Sequence, residues 1–95
     1  MLYRLEFTET AFGLLPSFHP AIRKLLKAAL KDLKKDPGLG KNLVEELTGY
    51  QSYSVKRYRI IYKTIEKNKT VQVHYIGHRR SVYELFSELV KVGLQ

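Results

Sequence analysis

The order of apolar periodicities along the chain predicts an α+β fold: a small antiparallel-rich sheet with helices on one face, in the order β-α-α-β-β-β-α. Three observations carry that prediction. A helical repeat of apolar residues runs from Ile22 to Leu33, three β-branched and aromatic segments follow from Tyr50 onwards, and a second helical repeat starts at Val82. Only short turns separate the three β segments, and a short turn joins antiparallel strands but not parallel ones.

In chain order, Leu2-Tyr3-Arg4-Leu5-Glu6-Phe7 reads as a strand with imperfect alternation. Thr8 is placed to cap a short helix, with Glu9 in its first turn and Pro16 as its close. The next helix has one apolar stripe: Ile22, Leu25, Leu26, Ala29, Leu30 and Leu33. Pro20 suits its first turn. Asp36-Pro37-Gly38 ends it, because the residue before a proline disfavours the helical region. Leu39-Gly40-Lys41-Asn42 is expected as a loop, and Gly49 as the end of a second connection. Strands are expected over 50–56, 58–65 and 70–77, with a tight turn at Lys56-Arg57 and another at Glu66-Lys67-Asn68-Lys69. Ser81-Val82-Tyr83-Glu84 has capping-box spacing and opens the last helix, whose stripe is Val82, Leu85, Phe86, Leu89 and Val90.

Ninety-five residues allow one domain, 1–95, long enough to bury a core without inserted subdomains. With 44% hydrophobic and 27% charged residues, the composition is that of a globular domain. The sequence has no apolar run long enough to span a bilayer, so no membrane partner is expected. The opening Met-Leu-Tyr-Arg-Leu-Glu-Phe lacks the apolar segment of a signal peptide, and cytoplasm is the expected location. Without cysteine there is neither a disulfide framework nor a thiolate zinc site. Seventeen Lys and Arg against nine Asp and Glu leave a net charge of +8. An excess of that size favours polyanionic partners, since each neutralised phosphate releases counterions.

Two segments concentrate the residues of chemical interest: Ser54-Val55-Lys56-Arg57-Tyr58-Arg59-Ile60-Ile61-Tyr62 and Gly77-His78-Arg79-Arg80-Ser81-Val82-Tyr83. Strand alternation puts Arg57, Arg59, Ile61 and Lys63 on one face and Tyr58, Ile60 and Tyr62 on the other. Helices on one side of the sheet would leave the arginine face open, and the segment after the last strand would bring Arg79 and Arg80 towards it. Guanidinium forks suit phosphates and aromatic rings suit bases, so nucleic acid is the expected ligand, with Arg57 and Arg80 as further binding candidates. Lys24, Lys27, Lys31, Lys34 and Lys35 lie on the solvated sides of the long helix and are candidates for further phosphate contacts. His19 and His74 read as structural. No spacing of histidines and carboxylates forms a metal site, and no cofactor is expected.

At these residues the chain resembles the RelE/ParE toxin superfamily. Tyr58-Arg59-Ile60-Ile61-Tyr62 matches the family's Tyr-Arg-hydrophobic-hydrophobic-Tyr strand, and His78-Arg79 followed by Val82-Tyr83 matches the segment after its last strand. The amphipathic helix ending at a proline and Leu47-Thr48-Gly49 extend the resemblance over nearly the whole chain. It implies a metal-independent endoribonuclease that cuts mRNA in the ribosomal A site and is held inactive by an antitoxin. The cut proceeds by attack of the ribose 2′-hydroxyl and leaves a cyclic phosphate. Arg59, Arg79 and Tyr83 occupy the family's site positions. Lys56 and Arg57 stand where the family often has Gly and Asp, and Ser54 stands where a basic residue is frequent, which leaves the general base open. The in-line reaction needs a base, charge stabilisation and an acid. His78 is the first candidate for proton transfer and Lys56 the second. Arg59 and Arg79 suit transition-state stabilisation because a guanidinium barely titrates. Tyr83 suits stacking or a phosphate bond. Positioning by the ribosome would supply much of the rate. Two other readings remain at this stage: a ParE-branch gyrase inhibitor, and a non-catalytic RNA-binding domain. The expected protein partner is an acidic antitoxin whose disordered segment folds over Arg59 and Arg79.

Overall fold

The computed structural model describes residues 2–93. Strand β1 (Arg4–Phe7) leads into α1 (Glu9–Leu14) and α2 (Pro20–Lys35), and a two-residue strand β2 (Lys41–Asn42) follows. Then come β3 (Gln51–Val55), β4 (Tyr58–Ile65), β5 (Thr70–His78) and α3 (Val82–Lys91). The five-stranded sheet has the order β1-β5-β4-β3-β2. The β2–β5 part is an antiparallel meander, and β1 lies parallel to β5, an arrangement the long intervening chain permits.

Most local signals act as expected. The Thr8 side chain accepts the Ala11 N–H at 3.2 Å and caps α1. Pro20 begins α2, and the Asp36 carboxylate accepts the Gly38 N–H at 2.9 Å just beyond its end. Lys56-Arg57 forms the two-residue turn between Val55 and Tyr58, with Lys56 left-handed at φ 57°. Other expectations need correction. The first strand starts at Arg4, because the Tyr3 N–H is taken by Lys34 O of α2 at 2.9 Å. The expected loop 39–42 contains β2, paired in register Lys41 to Ser52. Ser81 makes no side-chain cap on α3; its N–H instead closes a turn on His78 O at 3.0 Å. Leu25 (39% exposed) and Leu85 (48%) fall outside the buried stripes. Each sits about 90° round its helix from the centre of the stripe, at the edge of what the sheet covers.

The core is split by the sheet. On one face α1 and α2 bury Ala11, Leu26, Leu30 and Leu33 against Ile60, Tyr62, Val71 and Val73. On the other, α3 buries Val82 and Phe86 against Tyr50 and Ile61. The helices of the N-terminal half thus cover one face, and α3 covers part of the arginine-bearing face. A bulge in β5 underlies this arrangement: Ile61 pairs with Tyr75 but Tyr62 pairs with Val73, so His74 is an extra residue. His74 and Tyr75 both reach Phe86 of α3, at ring-centroid distances of 6.2 and 5.8 Å. Beyond the bulge the alternation is reversed. Ile76 enters the α1/α2 core, and Gly77 faces α3, where a Cβ would lie 3.2 Å from a Val82 methyl.

Tyr62 anchors the connection that carries β2. Its buried hydroxyl donates to Pro37 O at 2.6 Å and accepts the Gly40 N–H at 3.0 Å. Burial pushes the phenol up to about 12. Gly40 has no room for a side chain, as a Cβ there would collide with the same hydroxyl and lie 2.9 Å from Ser52 O.

Candidate nucleic-acid interface and active site

The arginine-bearing face is built by cross-strand pairing at one end of the sheet. Ser54 pairs with Arg59, and Arg59 pairs with Gly77, so the three share a face, on which Val82 of α3 packs over Gly77. The Arg59 Nη1 donates to Lys56 O at 3.2 Å and Tyr58 O at 2.9 Å. These bonds hold the guanidinium by one nitrogen and leave Nη2 and Nε as a two-pronged donor for an anion. The Arg79 N–H donates to Arg57 O at 2.7 Å. That single bond clips the segment after β5 to the β3–β4 turn and gathers Lys56, Arg57, Arg79 and Arg80, all exposed, along one rim. Between Tyr50 and Tyr83 the only acidic residue is Glu66, at the far end of the sheet. There the Lys69 ammonium and the Tyr3 hydroxyl hold its carboxyl below the usual range.

Tyr83 comes from the first turn of α3 and lies across the same face. Its hydroxyl shares a 2.8 Å hydrogen bond with the Ser52 hydroxyl of β3. Lys41 of β2 places its Nζ 6.0 Å from the centre of the Tyr83 ring. Neither Ser52 nor Lys41 stands out in the sequence. A two-residue strand has no periodicity to read, and a serine among aromatic strand residues carries no signal until α3 folds over it.

His78 is placed elsewhere. It pairs with Tyr58, and the two rings meet edge to face at 5.7 Å, while Phe18 meets Tyr58 at 5.5 Å. Tyr58 packs on the α1/α2 core, so His78 lies on the side of the sheet opposite Arg59. Its Nδ1 accepts the Arg80 N–H at 3.2 Å, which assigns the proton of the neutral ring to Nε2. His74 is buried between Tyr50 and Phe86, with Nε2 bonded to Gln72 Oε1 at 2.7 Å, and His19 caps α2 by accepting the Ala21 N–H. Both fit structural roles.

The lysines of α2 form a separate surface. Lys24, Lys27, Lys31 and Lys35 are exposed and Lys34 is half-buried, on the helix that covers the face opposite Arg59. Pro20, Arg23, Lys24, Lys27, Ala28 and Lys31 line a shallow open depression of about 510 Å³ there. The sequence-predicted RNA contacts therefore divide into two regions separated by the thickness of the molecule. Among the described residues, no three His, Cys, Asp or Glu side chains gather as metal ligands, and no helix is long and apolar enough to cross a membrane.

Residues 5–83 match the family described as the ParE toxin of type II toxin–antitoxin systems, parDE. Over 85 residues the chain is 33% identical to Toxin RelG of Mycobacterium tuberculosis, covering 87% of this chain and 98% of that one. The toxin–antitoxin complex RelBE2 of M. tuberculosis superposes with a TM-score of 0.76 at 32% identity, over 83% of this chain and 100% of that one. A doubly substituted Escherichia coli toxin RelE in the free state gives 0.78 at 25% identity, over 98% of this chain and 99% of that one.

Proposed function

Because the chain belongs to the ParE toxin family of type II toxin–antitoxin systems, within the RelE/ParE superfamily, we propose that it is a ribosome-dependent endoribonuclease. It cuts mRNA in the A site, without a metal, by attack of a ribose 2′-hydroxyl on the adjacent phosphodiester, which breaks the P–O5′ bond, leaves a 2′,3′-cyclic phosphate and releases the 5′-oxygen as a protonated hydroxyl. The observation that carries this reading is the clip between Arg79 and Arg57, which sets two arginine-bearing segments side by side next to the open fork of Arg59. Arg59 and Arg79 bind the non-bridging oxygens and stabilise the charge that grows on them as the phosphorane forms. Tyr83, steadied by Ser52, contacts the nucleotide beside the scissile bond. As an acid His78 can donate from Nε2–H, whereas to act as a base it has to release the Arg80 N–H from Nδ1. It acts from the edge of the site. Lys56, in the adjoining turn, is the other group able to move a proton. With no strong base facing Arg59, cleavage of free RNA is slow, and the ribosome supplies alignment of the attacking hydroxyl.

The partner is a co-encoded antitoxin. The RelBE2 relative is known as a toxin–antitoxin complex, and the cationic rim calls for an acidic segment that folds over Arg59 and Arg79 on binding. Inducible expression with mapping of mRNA 5′ ends, together with cleavage assays of the purified chain with and without programmed ribosomes, tests the reading. Codon-phased cuts that require the ribosome support it. Inhibition of DNA supercoiling without any cut would instead place the chain with gyrase-blocking toxins, a reading favoured only by the match to the family named for ParE. RNA binding with neither effect would leave a non-catalytic domain.

A further inference from the structure

We propose that Lys41 is a phosphate-contacting residue of this interface, forming with Tyr83 a subsite for the nucleotide next to the one held by Arg59. The inference rests on the RNA-directed reading above and extends it to a residue outside the Tyr50–Tyr83 segment. Lys41 pairs with Ser52 across the β2–β3 ladder, and directly paired residues of antiparallel strands point to the same face. Ser52 in turn holds the Tyr83 hydroxyl, and the Lys41 ammonium stands over the Tyr83 ring. Lysine, serine and tyrosine from three separate elements thus meet at one point. The Tyr62–Gly40 bond fixes the backbone just before Lys41, which keeps the ammonium on this face.

Spacing supports a shared ligand. Lys41 and Arg59 lie two strands apart and one same-face step along, about 12 Å between backbones from the strand geometry. Their long side chains close much of that gap, which suits successive phosphates of one extended strand. Charge then sets the direction of that strand. On its other side Tyr83 borders a groove of about 280 Å³ whose charged lining is Glu46, Glu84, Glu88 and Lys91; three carboxylates against one ammonium leave it net acidic and unfavourable for phosphate, whereas Lys41 and Arg59 attract it. The RNA therefore runs across β2, β3 and β4 and away from α3. Lys41 also supplies to this face a cation that Ser54 does not.

The test is the salt dependence of binding to a labelled single-stranded RNA oligonucleotide, paired with single-turnover cleavage on programmed ribosomes. Lys41→Met keeps an unbranched stem over the Tyr83 ring and removes the charge, and Lys41→Arg restores it. Lys67→Met, at the exposed turn before β5, is the control. Loss of one phosphate contact makes the log–log salt slope shallower by about 0.7. That change is expected for Lys41→Met, with the parent slope kept by Lys41→Arg and Lys67→Met. Cleavage by Lys41→Met should fall about tenfold. An unchanged slope for Lys41→Met overturns the proposal, whatever the cleavage result. A shallower slope in a parent chain that cuts no RNA keeps the Lys41 contact and overturns the ribonuclease reading alone.

Discussion

The long helix α2 and the end of the sheet at Arg59 both present cations, but they hold them differently. On α2, Lys24, Lys27 and Lys31 are exposed, on long unbranched stems, and no hydrogen bond to another described residue orients their ammonium groups. At the sheet end, Arg59 is held by two main-chain carbonyls and Arg79 is carried on a segment clipped to Arg57. A flexible, strongly hydrated ammonium gives attraction without direction, whereas an anchored guanidinium presents donors in a set geometry. Net charge is common to both regions; preorganisation is not. Under the proposed ribonuclease reading, long-range capture of RNA falls to α2 and chemistry to the sheet.

The sharpest way to break this division is to remove an anchored arginine. Arg79→Ala is expected to lower single-turnover cleavage by about a hundredfold to a thousandfold, the scale of losing one charge-stabilising donor, with a much smaller change in ribosome affinity. A loss confined to affinity would show that the sheet end is merely another attractive surface. His78→Ala is the companion measurement. Its ring is on the opposite side of the sheet from Arg59, so a loss comparable to that of Arg79→Ala would show that the active site wraps round the C-terminal end of β5.

The next prediction concerns the scaffold of the sheet side. Tyr62 titrates near 12 when folded and near 10 when unfolded. The stability this group contributes is fully present below pH 10 and is lost as pH rises to about 12, at about 1.4 kcal/mol per pH unit. Chemical denaturation of the parent and of Tyr62→Phe across this range should show a steeper fall in the parent. At neutral pH, Tyr62→Phe should lose about 1–2 kcal/mol, because Gly40 N–H and Pro37 O lose their shared partner.

A smaller effect is expected on α2 itself. Replacing Lys27 and Lys31 by Gln should make the salt dependence of ribosome binding shallower by about one to two units of slope and leave the cleavage rate at saturation unchanged. A fall in that saturated rate would connect the two regions and undo the division. The smallest effect belongs to the turn that supports Arg59. Lys56 occupies a left-handed conformation at φ 57°, which glycine adopts without penalty. Lys56→Gly should stabilise the fold by at most about 1 kcal/mol in thermal or chemical melts. If Lys56 moves a proton, the same variant also loses cleavage.

The two regions also differ in how far they could be read from sequence. The α2 lysines follow from periodicity, because one helix with one apolar stripe exposes everything else. Arg59 on the face opposite Tyr58, Ile60 and Tyr62 follows from strand alternation, and β4 keeps that alternation throughout. Past His74 the same rule no longer predicts the face. The β5 bulge inserts one residue, and a one-residue shift moves every later side chain to the other side of the sheet. For that reason His78, grouped with the arginines on sequence proximity, lies with Tyr58 and Phe18 instead.

Local periodicity, turn chemistry and charge, which depend on residues a few positions apart, determined the α+β class, the β-α-α-β-β-β-α order, the Thr8 cap of α1, the start of α2 at Pro20 and the basic character of the surface. Tertiary structure decided what depends on residues distant in the chain. It set β1 beside β5, laid α3 over Tyr50 and Ile61 on the arginine-bearing face, and brought Lys41, Ser52 and Tyr83 to one point. The physical reason is that a strand two residues long has no stability or pattern of its own. Lys41–Asn42 becomes a strand only because Tyr62, on another strand, ties down Gly40 and Pro37 beside it.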